Sequence, residues 1–361
     1  MNNKPGVLHL QIELNKTCGI TRSIRRIIGN SNNFEHYVIA LGGDAVDRFE
    51  GTNCRIINVN RNSIIGSFEI LFAIIRFIKK HKIKIINSHH RYFDLMSTIL
   101  NFFTGVKTIT TVHSKVYDKK HFSYKSDHLI AVSNSIKKHI VSQFELEPGK
   151  ISVINNFIDP DEVTLTIPHD LLLKELEIPE DSVILGYFGR LDIKEKGVDI
   201  LIDAFEKLAR EFNNVYLILG GDGIDEKILR EKADSKKIPV RFLGAVENIW
   251  DYVYLSNIII LASRIDPFPL TMIEAGLAGK AFIGSDADGI PEFIDNYTDG
   301  ILFSKEDVSG LYCKMEELVS DKGLREKLGN NLHQKVLCNY VPGKIIPQLE
   351  EIYSFHFKEV L

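Results

Sequence analysis

The sequence predicts an α/β protein built from two doubly wound, parallel-sheet domains. Short apolar runs rich in β-branched residues alternate with helical stretches along all 361 residues, which is the pattern of repeated βαβ units. A chain of this length is comfortable for two hydrophobic cores. Its 44% hydrophobic and 25% charged residues are ordinary for a globular protein, which excludes disordered and fibrous classes.

The predicted strands form two series, one for each domain. The first lies near residues 6–13, 36–41, 54–59, 83–88, 107–112, 128–132 and 151–154, and the second near 183–188, 214–220, 239–243, 257–262, 280–284 and 300–303. The polar segment 159–182, with three of the eleven prolines, is the predicted linker. We therefore expect an N-terminal domain over 1–165, a C-terminal domain over 166–344, and a final helix over about 345–361 that packs back on the first domain.

Several classes of protein are excluded by what the sequence lacks. The motifs G-x-G-x-x-G and G-x-x-x-x-G-K-[ST] are absent, which argues against NAD or FAD sites of that type and against P-loop NTPases. The four cysteines are far apart and form no C-x-x-C pair, which argues against disulfides and zinc. Asp286 and Asp288 form a D-x-D tripeptide, for which a surface loop is favoured over a metal site. With neither a basic-then-apolar leader nor a membrane span in the sequence, we expect a cytoplasmic protein.

The two predicted domains differ in charge. Residues 1–165 carry 22 Lys and Arg against 14 Asp and Glu, whereas the remainder carries 22 against 34. The basic half could face an anionic acceptor or the inner face of a membrane, and a solvated basic face is the alternative. The helix predicted over 67–80 is apolar nearly all round and is followed by basic residues, so that it is either a buried helix or a membrane-contacting one. No nucleic-acid partner is expected.

The first strand of the second series leads into a loop that suits a diphosphate. Gly189 and Arg190 follow the strand, and Lys196 and Gly197 lead into a helix that begins near Val198. Glycine lets a ligand approach the backbone, and a helix N-terminus offers free N–H groups with a partial positive charge. Two cations beside such a terminus form an anion site that needs no metal ion. Two surface cations in an ordinary loop are the alternative.

The stretch DPFPLTMIEAGLAGK places two carboxylates around the start of another helix. Asp266 lies just past a buried strand, Pro269 is a favourable first helical residue, and Glu274 then falls in the second turn. Helical side chains lean toward the N-terminus, so Glu274 can reach a ligand held there. Two carboxylates accept hydrogen bonds from hydroxyl groups, such as those of a ribose and a hexose. The alternative is that Asp266 caps the helix and Glu274 pairs with a cation.

These segments together resemble a known enzyme family. In order along the chain stand TVHSK, SDHLIAVSNSIKKHI, ISVINNFIDPDEV, GYFGRLDIKEKGVDILIDAF, LILGGDG, FLGAVENIWDYVYLSNIIILAS, DPFPLTMIEAGLAGKAFIGSDADGIPEFI and DGILF. Their order resembles that of the retaining glycosyltransferases of family 4. The resemblance implies the GT-B fold, in which two Rossmann-like domains face each other across a cleft.

The resemblance implies roles for the residues singled out above. Lys196 and Arg190 would hold the donor diphosphate, Glu274 would bind the ribose hydroxyls, and Asp266, where glutamate is commoner, would lie beside the transferred sugar. It further implies a list of donor-site residues: backbone groups of Phe268, Pro269, Leu270 and Thr271, with Phe242, Leu243 and Gly244 beside the base.

In the first domain the resemblance is carried by fewer residues. His113 matches a histidine that contacts the donor sugar, and a structurally satisfied histidine is the alternative. Gly19 stands where relatives often have two adjacent glycines, and would let the backbone approach the diphosphate. Arg22, His89 and His90 are further candidates for the same cleft.

We therefore predict a retaining glycosyltransferase that moves a sugar from a UDP- or GDP-sugar to a hydroxyl acceptor, without a cofactor or metal ion. The acceptor would be a saccharide or lipid-linked saccharide in surface polysaccharide assembly. Two alternatives stay open. One is a sugar-nucleotide epimerase on the same frame, and the other is a non-catalytic scaffold of a polysaccharide assembly complex.

Overall fold

The chain divides into two compact units. In the computed structural model, which describes residues 4–59, 63–118 and 123–359, one unit is Met1–Asn156 with Pro342–Leu361 and the other is Phe157–Val341. The unit boundary lies earlier than the predicted 165, because hydrogen bonds hold the intervening segment in the second unit. Ile158 N donates to Tyr340 O at 2.9 Å, and the backbone N–H and hydroxyl of Thr166 donate to the Asp251 carboxylate at 2.7 and 2.6 Å.

The first unit is a parallel sheet between two layers of helices. Its strands are β1 (Gly6–Glu13), β2 (Glu35–Gly42), β3 (Asn53–Ile56), β4 (Ile83–Ser88), β5 (Lys107–Val112), β6 (His128–Ala131) and β7 (Ile151–Val153), in the order β3-β2-β1-β4-β5-β6-β7. Its helices are α1 (Gly19–Asn30), α2 (Ile64–His81), α3 (Arg91–Thr104), α4 (Asn134–Phe144) and the C-terminal α14 (Pro342–Lys358), with short 3₁₀ turns at Val46–Phe49 and Pro148–Lys150.

Alternation along the central strands supplies a core on each face of this sheet. Leu8 and Leu10 of β1 belong to the core formed with α2 and α3. Val38 of β2 belongs to the core formed with Ile24 of α1 on the other face. These four side chains have no exposed surface, so apolar residues of the central strands are buried on both faces of the sheet.

The second unit repeats the architecture with six parallel strands. They are β8 (Val183–Phe188), β9 (Val215–Gly220), β10 (Val240–Gly244), β11 (Ile258–Leu261), β12 (Ala281–Ser285) and β13 (Ile301–Phe303), in the order β10-β9-β8-β11-β12-β13. The helices are α5 (His169–Glu175), α6 (Ile193–Lys196), α7 (Val198–Glu211), α8 (Glu226–Lys236), α9 (Trp250–Leu255), α10 (Leu270–Leu277), α11 (Ile290–Phe293), α12 (Val308–Ser320) and α13 (Lys322–Asn339), with a 3₁₀ turn at Pro160–Glu162.

The predicted fold class is confirmed. Every predicted strand is present in its predicted place, and in both sheets the strand order reverses beside the first strand of the unit, as in Rossmann-like domains. The C-terminal helix belongs to the first unit, where Tyr353 Oη accepts a hydrogen bond from Asn87 Nδ2 at 2.8 Å. Among the described residues, none of the helices combines the length and the apolar character needed to cross a membrane.

Candidate active site

The loop after β8 is shaped by hydrogen bonds and by one obligatory glycine. Tyr187 Oη donates to Arg190 O at 2.6 Å, and Asp192 caps α6 by accepting from Glu195 N at 2.9 Å. Gly197 then links α6 to α7 with φ of +61°, and a Cβ there would lie 2.1 Å from Ala262 O. The left-handed backbone and the close approach of the strand end both require glycine at this point.

The two loops that were expected to share a ligand are joined to each other. Glu195 O at the end of α6 accepts from the backbone N–H groups of Arg264 and Ile265 at 2.8 and 3.0 Å. This junction brings Lys196 to Asp266, so that Nζ lies 2.7 Å from Oδ2. The sequence predicted that both residues serve one site, and the structure places them in direct contact.

Asp266 is buried and held from several sides. Its Oδ2 also accepts from Ser263 Oγ at 2.9 Å, and its backbone N–H donates to Asp288 Oδ2 at 3.0 Å. Gly289 N donates to Asp266 O at 3.1 Å. Asp288, part of the D-x-D tripeptide, thus holds the loop that carries Asp266. The sequence showed this aspartate but gave no sign of its partner, which lies 22 residues earlier in the chain.

Glu274 lies in the second turn of α10, as predicted. All eight residues of this helix are buried, and Glu274 has no exposed surface. The helix begins at Leu270, one residue later than expected, because Pro269 keeps an extended ψ of 136° and precedes the first helical residue. Thr271 Oγ1 donates to Phe188 O at 2.7 Å, which ties the first turn of α10 to the end of β8. Phe268, just before the helix, is buried as well.

Arg190 differs from Lys196 in its partners and exposure. Its side chain is 57% exposed and forms an ion pair with Glu195, and Asp192 Oδ2 lies 3.7 Å away. Asp192 lies in the same loop, and Glu195 lies in α6, which follows it. Arg190 and Lys196 are therefore both neutralised by carboxylates of the same unit. A bound anion would compete with those carboxylates for the two cations.

The residues predicted to lie near the base form the end of β10. Phe242, Leu243 and Gly244 are half-buried, and the guanidinium of Arg230 stacks over the Phe242 ring at 4.5 Å. Gly244 has φ of +68°, and its carbonyl accepts from Gly221 N at 2.7 Å.

In the first unit the predicted residues lie at the carboxyl edge of the sheet. Gly19 is the first residue of α1, and Cys18 precedes it without a side-chain cap. His113 directly follows β5, and its Nε2 lies 3.1 Å from Nδ1 of His89. His90 instead caps α3, its Nδ1 accepting from Tyr92 N at 3.1 Å.

Burial sets the protonation of two groups near these sites. It lowers the pKa of His113 to about 4, so the imidazole is neutral at pH 7. Burial also raises the pKa of Tyr187 well above its ordinary value, and the nearby Asp266 carboxylate adds to this. Within the described ranges, no group of three His, Cys, Asp or Glu side chains is arranged to hold a metal ion.

Two family models match consecutive parts of the chain. Residues 19–162 match the Glycosyltransferase Family 4 model, and residues 169–335 match the model of Glycosyl transferases group 1. The chain is a family 4-type glycosyltransferase with the GT-B fold. The sequence resemblance to this family is thereby confirmed.

Individual relatives of this glycosyltransferase are distant. It is 31% identical to N-acetyl-alpha-D-glucosaminyl L-malate synthase of Bacillus anthracis over 63% of this chain, a match that spans 60% of that protein's length. It is 23% identical to the capsular polysaccharide biosynthesis glycosyltransferase CapM of Staphylococcus aureus over 91% of each chain. Among solved structures, Anabaena HepE in complex with UDP-glucose superposes with a TM-score of 0.84 at 19% identity, over 97% of this chain and 99% of that one. At such identity the superposition shows the fold alone.

Proposed function

We propose that this glycosyltransferase moves a sugar from a nucleoside diphosphate donor to a hydroxyl acceptor, with retention at the anomeric carbon and without a resident metal ion. The observation that carries the proposal is the Lys196–Asp266 contact at 2.7 Å, beside a buried helix that carries Glu274 in its second turn. It supports the proposal because a cation suited to an anion and two carboxylates suited to hydroxyl groups belong to α6, to the loop after β11 and to α10 of one unit. Capsular polysaccharide biosynthesis by CapM and the UDP-glucose bound to HepE support a sugar nucleotide donor and a saccharide or lipid-linked saccharide acceptor.

Each residue has a distinct part in this proposal. Lys196 and Arg190 hold the diphosphate and stabilise the charge that develops on it as the bond to the anomeric carbon breaks. Glu274 accepts hydrogen bonds from the ribose hydroxyls, and Asp266 orients the transferred sugar. The acceptor oxygen bonds to the same face of the anomeric carbon, and its proton passes to an oxygen of the departing diphosphate. Cation and helix N-termini supply the electrostatic stabilisation without a metal ion.

The first test measures nucleotide binding by Glu274→Gln, which keeps the volume of this buried side chain. A screen of UDP, GDP, ADP, TDP and CMP first identifies the base, and we then compare the affinity for that nucleotide with the affinity for its 2′,3′-dideoxy analogue. Hydrogen bonds to a charged group contribute about 1.5–3 kcal/mol, so the natural enzyme should prefer the ribose-containing nucleotide over its dideoxy analogue by about 10- to 100-fold, and the variant should not. Glu231→Gln, on the exposed face of α8, is the control.

If the natural enzyme and Glu274→Gln prefer the nucleotide over its 2′,3′-dideoxy analogue equally, Glu274 does not bind the ribose hydroxyls. Product analysis then separates the alternatives. A sugar changed with its diphosphate bond intact would indicate an epimerase, and nucleotide binding without turnover of any donor would indicate a scaffold.

We propose further that the first unit contacts an anionic membrane through the outer faces of α2 and α3. The exposed apolar side chains there are Ile64, Ile65, Phe68, Phe72, Leu95, Ile99, Phe102 and Phe103. Tyr92 Oη lies 3.2 Å from Ser67 Oγ, so the two helices run side by side from their first turns. Arg76, Lys79 and Lys80 continue the exposed face of α2. Apolar side chains followed by cations suit a bilayer with anionic headgroups.

Vesicle sedimentation of the full chain tests this contact. The double variant Phe68→Ser/Phe72→Ser should lose binding to phosphatidylglycerol vesicles, and added salt should weaken binding of the natural protein. Ile224→Ser/Ile228→Ser replaces two exposed apolar residues of the second unit and should bind normally. Equal vesicle binding by the two double variants would overturn the membrane proposal. So would a dimer of the natural protein in solution that Phe68→Ser/Phe72→Ser abolishes.

A further inference from the structure

Four histidines form a continuous chain on one face of the first sheet. Nδ1 of His36 lies 2.9 Å from Nε2 of His9, and Nδ1 of His9 lies 2.9 Å from Nε2 of His89. Nδ1 of His89 then lies 3.1 Å from Nε2 of His113. Successive rings stack with centroids 5.1, 5.2 and 5.4 Å apart. Every link joins Nδ1 of one ring to Nε2 of the next, so the four residues make a head-to-tail imidazole chain, called here the histidine chain.

Strand register produces the histidine chain. Val7 of β1 pairs with His36 of β2, and His9 pairs with Asn87 of β4. Each histidine therefore stands two residues further along than the one on the neighbouring strand, and all have their side chains on the same face. Diagonal neighbours of this kind are within reach of ring side chains. His89 and His113 each directly follow a strand, so the histidine chain ends at the carboxyl edge of the sheet.

The tautomers of the four rings are coupled. A neutral imidazole has one N–H and one acceptor nitrogen, and each link holds one proton. Either all four rings carry the proton on Nδ1, or all four carry it on Nε2. Burial lowers the pKa of His36 and of His113 to about 4, and those of His9 and His89 well below the ordinary value, so the rings are neutral at pH 7.

The two ends of the histidine chain differ. Nε2 of His36 is buried and, within the described part of the chain, has no hydrogen-bond partner. His36 also lines a pocket of about 360 Å³ together with Lys4, Glu35 and Asn53. The carboxylate of Glu350 raises the pKa of His36 and Lys4 lowers it, both less than burial does. At the other end His113 is half-buried, and no hydrogen bond from residues 4–59, 63–118 or 123–359 reaches its Nδ1.

The unpartnered nitrogen at His36 selects between the two states. A buried N–H without an acceptor is rarer in proteins than an acceptor without a donor. The favoured state therefore leaves Nε2 of His36 bare, which puts the proton on Nδ1 of every ring. His113 then presents Nδ1–H as a donor.

Repeated proton transport along the histidine chain is disfavoured by the same geometry. Passage of one proton would reverse every tautomer, and a second passage would need four stacked, closely packed rings to turn over. A fixed arrangement requires no such rotation. The histidine chain is therefore suited to orienting His113 rather than to conducting protons.

We propose that His89, His9 and His36 are positioning residues that fix the ring and tautomer of His113, so that its Nδ1–H donates to a hydroxyl of the transferred sugar. This inference rests on the proposed function. It extends that function to residues that do not touch the substrate.

Nitrogen-15 NMR of the full chain tests the tautomers directly. Two-bond proton–nitrogen correlations should show all four histidines neutral at pH 7, each with its proton on Nδ1. A doubly protonated, cationic ring, or a histidine of the four with its proton on Nε2, would overturn the proposal. This measurement needs no variant and no activity.

Kinetics of His89 variants test the consequence for transfer. His89→Phe keeps a ring but removes the hydrogen bond to His113, so that His113 should populate both tautomers. The variant should lower kcat by about 10- to 100-fold and change the donor KM less than threefold. The size of this effect follows that of losing the hydrogen-bond partner of a metal-binding histidine. His89→Gln, whose amide N–H can donate to His113 Nε2, should recover most of kcat. His128→Phe removes a histidine outside the chain, bonded to Ser152, and should keep kcat.

The outcomes separate this inference from the proposed function. If His89→Phe does not fold, His9→Phe makes the same cut one link further away. Normal kcat in a folded His89→Phe or His9→Phe would overturn the positioning role. No transfer by the natural protein with any donor would refute the proposed function, while the NMR result would still decide the tautomers.

Discussion

Replacing Lys196 by methionine should destabilise the second unit, because it leaves the Asp266 carboxylate buried without its cation. The two charged groups are 2.7 Å apart, and their side chains are 19% and 5% exposed. At an effective dielectric constant of about 20, charges at this distance attract by about 6 kcal/mol. Desolvation of the lysine offsets part of that, and Ser263 still donates to the carboxylate. We expect a net loss of about 3 kcal/mol, within the range found when one partner of a buried pair is removed.

The single tryptophan makes the second unit easy to follow. Trp250 is buried in α9, so its fluorescence reports unfolding of that unit in guanidinium or on heating. A loss of 3 kcal/mol corresponds to a Tm lower by about 6–12 °C for a domain of this size. Lys227→Met is the matched control, because Lys227 forms an exposed pair with Glu231 at 4.0 Å and should cost less than about 0.5 kcal/mol.

A second substitution separates stability from activity. Lys196→Met/Asp266→Asn removes both charges and should recover most of the lost stability while staying inactive. If the stability of Lys196→Met alone is within about 0.5 kcal/mol of that of the natural protein, or if the second change brings no recovery, the ion pair does not stabilise the second unit.

Three further predictions concern backbone strain and buried titratable groups. In Gly197→Ala the new Cβ would lie 2.1 Å from Ala262 O, and the second unit should lose about 3 kcal/mol or more of its stability. Gly244→Ala is also at positive φ but has open space around it, and should lose about 1 kcal/mol. Trp250 fluorescence measures both unfolding free energies, and equal losses would contradict the steric explanation. Glu350→Gln should destabilise the first unit by about 1–3 kcal/mol at pH 7. Burial raises the pKa of Glu350, but hydrogen bonds from Ser31 and Asn33 lower it by more, so the net pKa is lowered. The stability from this carboxylate is therefore present above about pH 4.5 and is lost as pH falls through the lowered pKa, and a stability deficit, measured by circular dichroism, that does not shrink in acid would refute this. Burial lowers the pKa of His36 to about 4, so protonation of His36 should remove up to roughly 3 kcal/mol of the first unit's stability as pH falls from about 6.5 to 4. His36→Phe should lack this contribution and show a shallower pH slope, and an unchanged slope would contradict the prediction.

Strand positions and the loops that follow β8 and β11 could be predicted because they depend on local sequence. Period-two and continuous apolar runs located the strands, and glycine next to a cation located the loop after β8. Contacts across the chain could not be predicted in the same way. Lys196 and Asp266 are 70 residues apart, and nothing near either residue shows that they form an ion pair.

The histidine chain is an intermediate case. Its members are scattered through the sequence, so no motif reveals them. The register of four strands, once known, places them two residues apart on successive strands of one face. From the sequence, His89 and His113 are only separate candidates, since register depends on tertiary pairing rather than on local pattern.

The placement of α14 affects the order in which the chain can fold during synthesis. The second unit is complete once Val341 has emerged, because all its strands and helices lie within Phe157–Val341. The first unit begins earlier but must wait for Pro342–Lys358, whose Glu350 and Tyr353 contact α1's end and β4. Although domains made first usually fold first on the ribosome, here the unit that begins the chain is the last to close. A ribosome stalled before α14 would hold a finished second unit beside a sheet with part of one face uncovered.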